Sequence, residues 1–162
     1  MRITSLNGWN GIKVLGGRGY GTSNDLIIAM HPFFEEQFPV TEKISECLIN
    51  HPGPIMVLDD EVSQNYDQML MRKNNPAAER YLITTEVCSN ELKHMSYDVF
   101  CKFIGQFVNS QSVGLIGGYW DGNHEATIEC GCLGSLDYEL TQRGFSTNLL
   151  EGCVFGCPTR KQ

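Results

Sequence analysis

Seven cysteines and four histidines are the residues in this chain whose types most readily do chemistry. A cysteine beside a histidine makes a nucleophile–base pair. His124 with Cys130 or with Cys101 is the pairing to weigh, although no local signature supports it. His31, His51 and His94 sit beside turns or helix ends and are expected at the surface. The last four cysteines fall in CGC (130–132) and CVFGC (153–157), a set that could be drawn as four zinc thiolates. Only the second pair comes near the knuckle spacing such sites use, so these cysteines are expected to be small buried apolar residues on strands, with no metal. Asp59, Asp60 and Glu61 end an apolar run. Adjacent strand residues point to opposite faces, so these three cannot converge on one cation and read as a solvated strand end.

The run VLGGRGYG (14–21) places Gly17, Gly19 and Gly21 after an apolar segment, superficially like a nucleotide loop. The acidic residue expected before such a loop is missing. The strand–helix alternation of a doubly wound sheet is not expected to continue either, so the run reads as a tight connector.

The elements that must position these groups follow from apolar spacing. GIKVLGG (11–17) reads as a strand. NDLIIAMHPFFEEQF (24–38) has helical spacing with Ser23 or Asn24 as cap and Pro32 as a bend. VTEKISECLINHPG (40–53) reads as a helix capped by Thr41, with Ile44, Cys47 and Leu48 on one face. PIMVLDDE (54–61) and RYLITTEV (80–87) read as strands. SYDVFCKFIGQFVNS (96–110) reads as a helix capped by Ser96. SVGLIGGYW (112–120) and HEATIECGCLG (124–134) read as a hairpin across the turn DGNH. Strand, helix, strand, strand, helix, strand is the order of an α+β, ferredoxin-like split βαβ sandwich with an added C-terminal hairpin strand. A single domain over 1–162 is expected, with its core in 11–134 and an irregular tail in 135–162. One face of such a sheet lacks helices and is expected to be covered by self-association.

With 162 residues, 41% hydrophobic and 19% charged, the chain can bury a core and does not read as disordered. A net charge of −7 without basic clusters argues against nucleic acid. No apolar run is long enough for a bilayer, and the first residues lack a signal-peptide pattern, so a cytoplasmic protein is expected.

Between the strands at 54–61 and 80–87 lies a long polar connector bounded by Tyr66 and Glu79. The stretch YDQMLMRKNNPAAERYL resembles the phage S-adenosylmethionine (SAM) lyases, in which a tyrosine and a polar loop precede Pro-x-x-Glu-basic. Here those residues are Tyr66, Pro76, Glu79 and Arg80. NHEATIEC (123–130) and LEGCVFG (150–156) resemble further segments of the family, and the similarity spans 54–156. The resemblance implies a ferredoxin-like domain forming trimers, with active sites between subunits and no cofactor. It also implies cleavage of SAM to methylthioadenosine and homoserine lactone, serving phage counter-defence by depleting SAM in the host cytoplasm. Tyr66 and Glu79 would be the functional residues. Glu79 would receive the substrate ammonium, and Tyr66 would orient its carboxylate or face its cation. The backbone of Met56, Val57 and Leu58 would hold adenine. The competing expectation is a non-enzymatic module that sequesters a nucleotide-like ligand or blocks a host defence protein.

Overall fold

LIIAM (26–30) carries five apolar residues in succession, without the alternation of a half-exposed strand. Such a run suits a strand covered on both faces, as in the middle of a parallel sheet. In the computed structural model, which describes residues 12–16, 26–33, 39–59, 80–84, 92, 95–105, 112–120 and 131–156, that is its position. The elements are β1 (Ile12–Gly16), β2 (Leu26–Met30), α1 (Val40–Asn50), β3 (Ile55–Asp59), β4 (Arg80–Thr84), α2 (Tyr97–Ile104), β5 (Ser112–Trp120), α3 (Gly131–Gln142) and β6 (Ser146–Gly156).

The strands form one sheet in the order β1-β4-β3-β2-β5-β6. Every neighbouring pair is parallel except β1 with β4. From β2 the chain winds outward through β3 to β4, returns to the other side of β2 as β5, and winds outward again to β6. This is a doubly wound α/β arrangement, with its reversal point between β2 and β5.

The ferredoxin-like expectation is therefore corrected, because its sheet is antiparallel and this one is chiefly parallel. Three local misreadings produced it. The helix expected over 24–38 is the buried strand β2 where the chain is described. The hairpin strand expected to end at Gly134 instead gives way to α3 from Gly131 onward. The tail expected to be irregular contains most of α3 and the eleven residues of β6.

The sheet separates two cores. On one face Leu26, Ile28, Met30, Met56 and Leu58 pack with residues of α2 and α3, including Phe100, Phe103, Leu133 and Leu136. On the other, Ile27, Ala29, Ile55 and Val57 meet Ile44 and Leu48 of α1 and Phe155 of β6. Burying each large apolar side chain contributes about 1.5–3 kcal/mol, so the two faces together define strand register.

The helix ends are fixed locally. Ser96 Oγ accepts the Val99 N–H at 3.2 Å at the start of α2. At the end of α3, Gly144 N–H donates to Thr141 O and Phe145 N–H to Leu140 O, both at 3.1 Å, with Gly144 at φ 89°. That pair of bonds is the Schellman stop. The Thr147 hydroxyl donates to the fully buried Asp137 carboxylate, tying α3 to β6. Arg143 bridges Asp98 of α2 at 2.7 Å and Glu139 of α3 at 2.5 Å.

Gly117 brings β5 against β2. It lies at φ 101°, and a Cβ there would stand 2.0 Å from the Met30 carbonyl oxygen. Gly117→Ala is expected to lower stability by at least about 3 kcal/mol, because backbone would have to part. Gly144→Ala, where φ is also positive but a Cβ meets nothing within 4 Å, should cost only the left-handed penalty of about 1–2 kcal/mol. Urea unfolding of the two variants reads the contrast; equal losses would show that the β2–β5 approach is not tight.

Candidate functional site

In doubly wound sheets the strands on either side of the reversal point send their connections to opposite faces. A crevice therefore opens beyond their carboxyl ends. Here β2 ends at Met30, opposite Gly117 of β5, and the residue that follows the strand is His31. His31 adopts φ 43°, the left-handed region, which non-glycine residues rarely occupy away from turns and functional sites. Its N–H donates to Leu58 O at 2.8 Å, holding the turn to the end of β3. Its Nδ1 donates to Asp59 Oδ1 at 2.9 Å, with the two side chains 12% and 14% exposed. The other ring nitrogen, Nε2, is buried and has no hydrogen-bond partner in good geometry among the described residues.

The third group is Cys132. Gly131 opens α3 at φ 78°, with its α-carbon so close to β5 that a Cβ would lie 2.2 Å from the Tyr119 carbonyl oxygen. Only glycine fits there, and it starts α3 directly against the end of β5. Cys132 follows as the second residue of the helix, at the positive end of its dipole. Its side chain is close enough to the His31 imidazole to raise the ring's pKa, although not in good hydrogen-bond geometry to it. Burial pulls that pKa down, but the Asp59 hydrogen bond and the Cys132 sulfur outweigh it. The imidazole is thus pushed up from 6.5 to about 9. A thiol, an imidazole and a carboxylate thus lie together where β2 and β3 end and α3 begins, the group types that nucleophile–base pairs use.

The other thiols among the described residues are of a different kind. Burial pushes Cys47 up to about 11, with help from Cys153, and burial also pushes Cys101 up to about 11. Burial likewise raises Cys153. Cys101 and Cys153 are buried and Cys47 is half-buried, and a raised pKa keeps each a protonated, weakly nucleophilic thiol at neutral pH. No group of three or more His, Cys, Asp or Glu among the described residues is arranged to hold a metal ion.

The residues singled out in the sequence are distributed differently. Tyr66 and Glu79 lie outside the described residues, as do His94, His124, Cys130, Cys157, Asp60 and Glu61. Met56, Val57 and Leu58 form the middle of β3, fully buried, with backbone paired to β2 on one side and β4 on the other. A strand paired on both edges has no ladder groups to offer adenine. β3 and β4, on either side of the Tyr66-to-Glu79 stretch, are parallel neighbours. His31 is not a surface residue, and Asp59 is not a solvated strand end: each shields the other. Cys101 is buried in α2 rather than facing a base. The missed signals were a histidine directly after a fully apolar run, and a Gly-Cys step ahead of Leu133, Leu136 and Leu140 at helical spacing.

No protein-family model matches the chain, and no curated protein or solved structure matches it.

The raised His31 pKa carries a stability consequence with a definite sign. The folded state holds this proton more tightly than the unfolded chain, so the stabilisation is complete below pH 6.5 and disappears as pH rises through about 9. A shift of that size corresponds to roughly 3 kcal/mol. Urea midpoints should fall between pH 6 and pH 9.5 in the wild type and fall much less in His31→Asn. Parallel pH profiles for the two proteins would show that His31 is not held by these partners.

Proposed function

We propose that the protein is a thiol-dependent acyl-transfer enzyme, a hydrolase of a small carboxamide or ester bound at the carboxyl edge of the sheet. The observation that carries this reading is the His31–Asp59 hydrogen bond at 2.9 Å with Cys132, at the start of α3, beside the same ring. Cys132 is the nucleophile. A cationic imidazole and a helix N-terminus are the surroundings in which a cysteine sulfur attacks as thiolate. The sulfur adds to the substrate carbonyl carbon, and the carbonyl π pair moves to oxygen. Collapse of that intermediate expels the amine or alcohol, which takes its proton from the His31 imidazolium. A thioester remains on Cys132. His31, now neutral, takes a proton from water as the water oxygen attacks the thioester, and sulfur leaves as the acid forms. Asp59 fixes the ring through Nδ1 so that Nε2 is the nitrogen available for both transfers.

SAM lyase activity remains as a second reading, carried by the Tyr66-to-Glu79 stretch of the sequence. It has no support from the fold, since the resemblance implied an antiparallel domain. In that reading the substrate's own carboxylate displaces the activated sulfonium in a site shared between subunits of a trimer. No protein thiol takes part.

The two separate cleanly. Under the thiol reading, p-nitrophenyl acetate leaves an acetyl thioester on Cys132, found by peptide mass spectrometry after acid quench. Cys132→Ser lowers ester turnover by about a thousandfold or more, and His31→Asn by about a hundredfold. Unchanged turnover in Cys132→Ser would overturn it. Under the lyase reading, wild type and Cys132→Ser alike convert SAM to methylthioadenosine, whereas Glu79→Gln does not.

A further inference from the structure

β6 does not run evenly beside β5. Leu115 pairs with Leu149 and Gly117 with Val154, so two steps along β5 span five along β6. The surplus residues form a bulge, and it approaches α1. Gly152 within it lies at φ 78°, where a Cβ would stand 2.8 Å from both Cδ and Nζ of Lys43. Cys153 follows Gly152 directly and is buried in the core on the α1 face of the sheet. Cys47 lies one helical turn beyond Lys43, on the same stripe of α1. It is half-buried and packs against that same core. Charge effects give the same placement. Burial raises the pKa of both thiols; Lys43 then lowers that of Cys153 and Glu46 raises it, while Cys153 raises that of Cys47. Lys43, Glu46 and Cys47 belong to one turn of α1, so that turn lies over Cys153. Both sulfurs are free thiols. Cys132 packs against the core on the other face of the sheet.

We propose that Cys47 and Cys153 are a reversible oxidation site, a dithiol that closes to a disulfide and pins α1 to the β6 bulge. The oxidant is a low-molecular-weight disulfide. The Cys47 sulfur, the more exposed of the two, gives up its proton, attacks one sulfur of the reagent and releases the first small thiol. Cys153 then attacks the Cys47 sulfur and expels the second. Two protein thiols and one small disulfide become one protein disulfide and two small thiols, with two protons carried across. Both protein thiols are protonated at neutral pH, so closure is slow and follows a sustained redox balance rather than a brief pulse. A disulfide needs α-carbons within about 7 Å, so crosslinking of the folded chain reads the placement directly. The site is independent of the acyl-transfer reading.

The test brings folded wild-type protein to equilibrium with excess oxidised glutathione, followed by alkylation of the remaining thiols. Chymotrypsin, which cuts after Phe155, separates Cys153 from Cys157. Mass spectrometry without reduction should find the Cys47 peptide joined to the Cys153 peptide as the main product at either residue. The oxidised protein should unfold at higher urea than the reduced protein, because the crosslink restricts the unfolded chain. Cys47→Ser should show neither effect. Cys47 and Cys153 remaining thiols, or carrying only glutathione, in the folded protein would overturn the proposal. So would a crosslink that lowers the urea midpoint, or a rise that persists in Cys47→Ser. None of these results bears on Cys132.

Discussion

The close parallel approach of β2 and β5 is the constraint from which the rest of the architecture follows. Leu26 to Met30 pair with Val113 to Gly117 in uninterrupted register, and the pairing closes only because Gly117 has no side chain to meet the Met30 carbonyl. Once these strands are adjacent, β3 and β4 must lie on one side and β6 on the other. Among the described residues a helix follows β2, β4 and β5, as α1, α2 and α3. Winding reverses between β2 and β5, and His31 at the end of β2 and Cys132 at the start of α3 come together there from separate elements.

Holding a histidine and an aspartate largely out of water has an energetic cost. It is tolerated where each partner satisfies the other and where charge serves a purpose. Asp59 is positioned by β3, which is rigid because it is paired on both edges. His31 is positioned by its backbone bond to Leu58 and by a left-handed turn. Cys132 is positioned by α3, anchored by Gly131 against Tyr119, by Asp137 with Thr147, and by the Schellman stop at Gly144. None of the three depends on a long flexible side chain. That is the preorganisation a nucleophile–base pair requires, because the sulfur, the ring and a substrate carbonyl must align together.

Much of the scaffold was legible in the sequence. The amphipathic α1, the Ser96 cap of α2 and the strands β1, β3, β4 and β5 follow from local spacing and capping, although α1 starts after Pro39 with no side-chain cap and takes the expected cap Thr41 as its second residue. The topology was not, and the reason lies in two segments. LIIAM has no period, so it fits a buried helix turn as well as a central strand, and only its neighbours decide. GCLGSLDYELTQ carries two glycines and a buried aspartate, which weaken its helical signature, although its leucines keep helical spacing. Misreading both turned a doubly wound sheet into a hairpin-bearing sandwich. The site was lost with the topology. His31 and Cys132 are 101 positions apart, and their meeting is a property of strand order rather than of any local motif.

If His31, Asp59 and Cys132 behave as one coupled unit, nuclear magnetic resonance titration of the His31 imidazole shows it most directly. The imidazole of the intact protein should titrate near pH 9. Its midpoint should drop in Asp59→Asn and, separately, in Cys132→Ser, because each partner contributes to the shift. A midpoint near the ordinary 6.5 in all three proteins would contradict that coupling, leaving a histidine and a cysteine that are neighbours without being partners.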